Sequence, residues 1–270
     1  MPPELLTSYE EIARRSDSVR AICARFEVRV RKNTDLEKIL QLASNAPLLA
    51  EDPLNHLELC HAHRVLGAIL ACENEPELTE PLRRIATKPL ARTWLEQSAG
   101  KDALFELELF QHIRQRGLKA RLGEPDIIVS LPFGEYFVAC KTINSHRALE
   151  GQLRKGYHQV RARGYGCVAF NVGLHILTER DEPVPAQSGA ELAKWIEPPL
   201  RDFYLGEHSL NKRLIKGSLD GLMFQVSCLA QVAESGFDMN IFTHTSYHAT
   251  SRVQQLEAQE RFESFRLSME

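Results

Sequence analysis

The chain has 270 residues, of which 43% are hydrophobic and 26% are charged, and its formal net charge is -3 at pH 7. This length gives room for one large domain or two modest ones with a real core, and nothing in the composition indicates disorder. No run of 18 apolar residues is present, and the start, Met-Pro-Pro-Glu-Leu-Leu, lacks the regions of a signal peptide. We therefore expect a soluble cytoplasmic protein that binds no membrane. Six scattered cysteines without a CxxC pair are typical of reduced core residues.

Charge is distributed unevenly along the chain. Residues 101–165 carry 11 Lys and Arg against 7 Asp and Glu, so this segment is +4 and the remainder is -7. The negative total argues against a general polyanion binder, but the local excess of cations favours contact with phosphates in this one segment.

The first part of the chain is predicted to be helical throughout. Residues 1 to about 98 show a Leu, Ala and Ile periodicity without strand alternation, and turn residues divide them into four to six helices. Gly100 ends this region, so we predict a helical N-terminal domain over 1–98 and a second domain over 99–270. The helical domain is a candidate for homodimerisation or for binding a partner protein or nucleic acid.

The second domain opens with a predicted helix from Asp102 to Arg116 that carries a misplaced acid. Its apolar residues form one broad stripe, and Glu106 lies inside that stripe, whereas Glu108 lies on the polar side. Burying an ionised carboxylate in a core costs on the order of several kcal/mol unless a cation pairs with it. Glu106 should therefore have a cationic partner, either a side chain or a metal ion.

Two strands follow, joined by a turn at Leu131-Pro132-Phe133-Gly134. Asp126 opens the first strand directly after Pro125, which cannot extend a ladder. The return strand covers 135–143 and places Lys141 between apolar residues, where a lysine is rarely left unpaired. Glu106, Asp126 and Lys141 are therefore expected to converge at one point.

These residues resemble a known family. Glu106, the pair Pro125-Asp126 and the segment Val138-Ala139-Cys140-Lys141 are similar to the core of the PD-(D/E)xK nuclease superfamily, to which many restriction and repair nucleases belong. The resemblance covers residues 102 to about 172 and implies an α/β, restriction-endonuclease-like fold, a mixed sheet flanked by helices. It implies that Glu106, Asp126 and the Cys140 backbone carbonyl bind Mg²⁺, with Mn²⁺ as a substitute, and that Lys141 orients or deprotonates the attacking water.

The sequence departs from the family at one position, because Ala139 stands where the family has a further acidic ligand. Two explanations are open. Another carboxylate replaces the missing ligand, with Glu150 favoured over Glu124 and Glu108 because it follows the lysine strand, or the domain binds nucleic acid without cutting it. Three ionisable groups near a core are costly to keep without a ligand, which favours an active site.

A helix over 147–163 and a third strand over 166–172 complete the segment. The helix is a crossover, so the strands on either side of it are predicted to be parallel or part of a mixed sheet. Gly156 in the helix interior indicates a close backbone approach. The candidates for contact with nucleic acid are Gln152, Lys155, Gln159 and Arg163, and the resemblance implies that Gln159 faces the site.

The remaining elements are predicted more coarsely. We expect a loop over 181–186, a helix over 190–205 interrupted at Pro198-Pro199, strands over 222–229 and 240–243, and a final helix over 253–267. His244 and His248 then fall in a polar segment, where surface residues are more common than a general base or a ligand pair.

The sequence leads to two hypotheses. The first is a Mg²⁺-dependent nuclease that hydrolyses phosphodiester bonds, in DNA rather than RNA, in defence or repair. The second is a catalytically inactive protein with the nuclease fold that binds nucleic acid or a protein.

Overall fold

A computed structural model of the chain describes residues 8–49, 55–91, 94, 96–176, 184–206, 219–233, 240–249 and 256–269. It confirms an α/β protein with a helical N-terminal region and a mixed sheet flanked by helices. The chain divides into two compact units, one from Met1–Trp94 and Ser98–Leu107, the other from Leu95–Gln97 and Glu108–Glu270. Within the described ranges, no helix is long and apolar enough to cross a membrane.

The first unit contains the predicted helices. The helices are α1 Tyr9–Arg25, α2 Asp35–Ser44, α3 Ala46–Leu49, α4 His56–Ala71 and α5 Thr79–Thr87. A short 3₁₀ turn, Pro76–Leu78, precedes α5.

Local sequence explains where these helices begin. The Thr34 hydroxyl caps α2 by accepting a hydrogen bond from the Glu37 amide at 3.4 Å, and Ser8 caps α1 in the same way through Glu11. The helices then bury one apolar face each, and in α2 that face consists of Leu36, Ile39, Leu40 and Ala43.

The second unit is built on the sheet. Helix α6, Ala99–Gln115, has residues in both units. The six cysteines form no disulfide bond, as predicted, and all but Cys60 are buried. The strands are β1 Lys119–Leu122, β2 Ile127–Leu131, β3 Gly134–Thr142, β4 Gly166–Asn171, β5 Val184–Ala186, β6 Leu219–Val232 and β7 Asn240–Ala249. The remaining helices are α7 His146–Arg161, α8 Gly173–Ile176, α9 Gly189–Gly206 and α10 Leu256–Met269.

The sheet is parallel in the middle and has antiparallel strands on both sides of that parallel part. Strands β1, β2 and β3 form an antiparallel meander, whereas β3, β4 and β6 are parallel, as expected from the helical crossover α7. Strand β7 pairs antiparallel with β6, and β5 pairs with the carboxyl end of β6. Lys141 lies opposite Phe170 in this register.

Helices cover both faces of the sheet. On one face, Ala139, Val168 and Phe224 belong to an apolar core that includes residues of α7 and α9. On the other face, α10 places Phe262 against Gly221, and the Phe265 ring lies 5.2 Å from the Tyr136 ring. Lys141 therefore lies in the part of β3 that is buried on both faces, whereas Glu135, near the start of the strand, is exposed.

Four details of the prediction are wrong or incomplete. Strand β1 was not predicted, because its sequence Lys-Ala-Arg-Leu carries two cations and is half exposed. Part of the predicted loop over 181–186 is strand β5, and the rest lies outside the described residues. Helix α9 continues through Pro198 and Pro199, because burial of Ile196 and Leu200 outweighs the cost of the prolines. Strands β6 and β7 extend well beyond the predicted limits.

Candidate functional site

The polar centre of the second unit joins the start of β2 to the end of β3. Asp126 directly precedes β2, and its Oδ2 accepts hydrogen bonds from the Cys140 amide at 2.7 Å and from Lys141 Nζ at 3.2 Å. The same Lys141 Nζ donates to the Cys140 carbonyl at 2.7 Å. One carboxylate oxygen and one carbonyl oxygen therefore converge on a single cationic group.

This centre is almost closed to solvent. Asp126 and Lys141 are each only 9% exposed. A buried ion pair contributes little net stability compared with apolar residues of the same volume, because both charges lose their hydration. The sequence predicted that Lys141 would be paired, and the structure confirms this prediction with Asp126 as the partner.

Glu106 has a different partner. It lies in the part of α6 that belongs to the helical unit, its side chain is 5% exposed, and its Oε2 accepts a hydrogen bond from Arg84 Nη2 of α5 at 2.8 Å. The prediction that Glu106 requires a cation is confirmed. Nothing in the sequence identifies Arg84 as that cation, because Arg83 and Arg84 are adjacent in α5 and differ only in the direction in which they leave the helix.

The position of the absent third acid is apolar. Ala139 is fully buried in the core beneath α7. Of the three carboxylates suggested as replacements, Glu150 and Glu124 are exposed and Glu108 is half buried. Within the described ranges, no group of three or more His, Cys, Asp or Glu side chains is arranged to bind a metal ion.

Helix α7 has a clear register on the sheet. A Cβ on Gly156 would lie 2.8 Å from Val168, which confirms the close backbone approach expected there, and a Cβ on Gly166 would lie 3.0 Å from Val160. Val168 is opposite Ala139, and Phe170, two residues on, is opposite Lys141. The helix therefore runs antiparallel to β3 and β4, with its first half beside Lys141.

This register separates the predicted nucleic-acid contacts. Gln152 lies one turn before Gly156 and therefore near the level of Lys141, whereas Gln159 lies one turn after Gly156, toward the opposite end of β3. Lys155 and Arg163 are exposed, and Arg163 lies in the turn after α7 rather than in the helix. The structure thus brings Gln152, rather than Gln159, to the level of the lysine.

The oxygen atoms around Asp126 are of the type that binds a hard divalent cation with few protein ligands. Mg²⁺ prefers oxygen ligands, and proteins typically bind it through one or two carboxylates while water and phosphate oxygens complete the shell. The Asp126 carboxylate and the Cys140 carbonyl are oxygens of this kind, and they already converge on the Lys141 ammonium. Both oxygens are therefore of the type that Mg²⁺ binds, and in this structure they contact the Lys141 ammonium instead.

A second buried polar cluster lies on the face covered by α10. Asp220 is 1% exposed and accepts two hydrogen bonds from Arg261, at 2.9 and 2.8 Å. Burial raises the pKa of Asp220, and the hydrogen bonds from Arg261 oppose that effect. The Arg261 guanidinium also stacks 3.8 Å from the centre of the Tyr165 ring. These contacts attach α10 to β6, so we assign the cluster a structural role.

His244 and His248 lie within β7 and not in a polar loop, which corrects the prediction for that segment. His248 Nε2 lies 2.8 Å from Ser246 Oγ, and its ring stacks on Tyr204 with 3.6 Å between centroids. Burial lowers the pKa of His248 to about 4, and burial also lowers the pKa of His244. Both rings are therefore neutral at pH 7 and help to pack β7 against α9.

We expect the depressed pKa of His248 to make the protein acid-sensitive. Because the folded state favours the neutral ring, its stabilising effect is complete above the unfolded pKa of about 6.5 and is lost as the pH falls toward about 4. The loss should be on the order of 2 kcal/mol, given partial exposure of the ring. Urea unfolding at pH 7 and pH 4.5 measures it. His248→Phe should keep the ring stack and show a smaller difference between these pH values, and an equal difference would contradict the assignment.

Neither family models, nor curated proteins, nor solved structures match the chain.

Proposed function

We propose that the chain is a metal-dependent nuclease that hydrolyses phosphodiester bonds, with DNA as the favoured substrate. The observation that carries the proposal is the buried contact between Lys141, Asp126 and the Cys140 carbonyl. Because such a pair is a poor source of stability, its position at the start of β2 and near the end of β3 favours a chemical role. The order of helix, antiparallel meander, crossover helix and parallel strand supports a restriction-endonuclease-like fold for the second unit.

Each group of the site has a role in this proposal. Asp126 and the Cys140 carbonyl would hold Mg²⁺, which would supply Lewis acidity toward the scissile phosphate and lower the pKa of a water molecule. The Lys141 ammonium donates hydrogen bonds, so it is suited to orient the attacking water and to neutralise charge that develops on the phosphate oxygens. Glu106 remains a ligand suggested by the sequence, and in the structure its carboxylate is paired with Arg84.

Helix α7 is the surface that we propose for the nucleic acid. Its 16 residues span roughly 24 Å, and Gln152 lies near the level of Lys141. Exposed cations lie along this helix and in the turn after it, and such side chains are suited to contact the phosphates of a nucleic acid. These cations are Arg147, Arg154, Lys155, Arg161 and Arg163.

Cleavage assays of the full chain test the proposal directly. We expect supercoiled, linear duplex or single-stranded DNA to be cut with Mg²⁺ or Mn²⁺, because both bind oxygen ligands, and not with EDTA. The same assays on RNA determine the substrate class. Absence of product on every DNA and RNA form, with either metal and with protein in excess, would overturn the proposal.

A second candidate is a protein that binds nucleic acid without cutting it. Two observations favour it, namely the fully buried Ala139 in place of an acid and the Arg84 contact at Glu106. Binding without cleavage, measured by fluorescence anisotropy with Mg²⁺ and with EDTA, would support this candidate. Its affinity should fall with added salt, because phosphate contacts release counterions.

A further inference from the structure

Strand β7 is the outermost strand on one side of the sheet. All ten of its residues pair with β6, in an unbroken antiparallel register from Asn240 opposite Ala230 to Ala249 opposite Gly221. Among the residues that the structure describes, no strand pairs with the other edge of β7. Every residue from 241 to 249 is at least partly exposed.

The two edges of the same sheet differ in a way that bears on association. The other edge is β1, which has four residues, and two of these are Lys119 and Arg121. Short length and positive charge are the usual means by which proteins prevent an edge from pairing with another chain. Strand β7 has none of these features, because its ten residues include no Lys, Arg, Asp, Glu, Pro or Gly.

We propose that β7 pairs antiparallel with β7 of a second copy of this chain, so that one continuous sheet crosses the two-fold axis of a homodimer. This inference is independent of the nuclease proposal. Side chains alternate between the two faces along a strand, and residues directly opposite each other in an antiparallel pair point to the same face. A two-fold axis perpendicular to the sheet must therefore pair residues whose numbers differ by an even amount. Centring the axis on Thr245 satisfies this condition.

The sequence of β7 is compatible with its own reverse in this register. Thr245 then lies opposite Thr245 of the second copy, His244 opposite Ser246, and Phe242 opposite His248. These are pairs of hydroxyl, aromatic and imidazole groups, which are favourable across antiparallel strands, and no two like charges meet at pH 7. A strand without charge offers no electrostatic selectivity for an acidic or basic peptide, which favours the second copy over another partner.

Light scattering coupled to gel filtration tests the proposal. The monomer has a mass of 30.6 kDa, and we expect the full chain to elute with twice that mass. Thr245→Lys would place two ammonium groups opposite each other, so the dissociation constant should rise roughly tenfold or more. Ala120→Lys on β1 is the matched control at the other edge, and it should leave the dimer unchanged. Circular dichroism confirms that both variants are folded.

Cross-linking distinguishes this interface from others. Thr245→Cys should form a disulfide-linked dimer under mild oxidation, because the two copies of this residue lie opposite each other at the axis. Thr87→Cys, at an exposed position on α5, should not. A monomer at every concentration tested, a dimer that Thr245→Lys leaves intact and Thr245→Cys fails to cross-link, or a monomer that binds an extended peptide at β7 would each overturn the proposal.

Discussion

Asp126→Asn is expected to lower the rate of metal-dependent cleavage by about 100-fold or more. The amide has the shape of the carboxylate, and its oxygen can still accept the hydrogen bond from the Cys140 amide, which is 2.7 Å long in the native protein. It lacks the negative charge that binds a cation and balances Lys141. Initial rates on the preferred DNA form, with Mg²⁺ at saturation, measure the effect. Asp202→Asn, at an exposed position on α9, is the control that removes the same charge elsewhere.

The partner variant distinguishes a chemical role from a structural one. Lys141→Met leaves Asp126 buried without its cation, so the free energy of unfolding should fall by about 3 kcal/mol. The variant should also lose cleavage activity. Combining Asp126→Asn with Lys141→Met removes both charges. An uncharged pair does not lose the hydration energy that a buried charge loses. The double variant should therefore recover most of the stability of the native chain.

Activity should not recover with stability. If Asp126 and Lys141 act on the phosphodiester, the double variant is stable and inactive, and it still binds DNA through the cations of α7. Native cleavage by the double variant would show that the reaction takes place at another site, and this would refute the nuclease assignment of Asp126 and Lys141. Binding by a native chain that does not cleave would instead identify the second candidate.

The sequence was sufficient to predict that Asp126 and Lys141 lie close together, because local features of the chain determine both positions. Alternation along β3 fixes the face of Lys141, and Pro125 fixes where β2 begins, so both positions follow from period and chain direction. The position of Glu106 on the apolar stripe of α6 has the same kind of cause. That all three are buried follows from the pattern, and the structure agrees.

The partner of Glu106 and the level of the glutamines do not have local causes. Arg84 of α5 and Glu106 of α6 are 22 residues apart in the sequence, and no spacing within either helix specifies their contact. Similarly, the choice between Gln152 and Gln159 depends on where α7 docks, which is set by the contact of Gly156 with Val168. Packing between distant segments decides such features, so a single sequence predicts them poorly.

A large effect on stability is also expected from Gly166→Ala. A Cβ at Gly166 would lie 1.9 Å from the Phe137 carbonyl oxygen. The position of a Cβ is fixed by the backbone that carries it, and the backbones of Gly166 and Phe137 are both held by sheet pairing. A side chain can rotate away from such a clash, but paired backbone cannot. We therefore expect the free energy of unfolding to fall by about 3 kcal/mol, measured by urea denaturation.

A second glycine of the same region supplies the opposite expectation. Gly151 lies in α7 with no atom within 4 Å of an added Cβ, so Gly151→Ala should stabilise the protein by about 0.5–1 kcal/mol through helix propensity. Equal effects of Gly151→Ala and Gly166→Ala would contradict the close approach of β3 and β4.

That approach also sets the position of Lys141 opposite Phe170, so Gly166→Ala should reduce cleavage at temperatures where the variant is still folded. Loss of stability with unchanged cleavage would mean that the end of β3 keeps its geometry when its beginning is displaced.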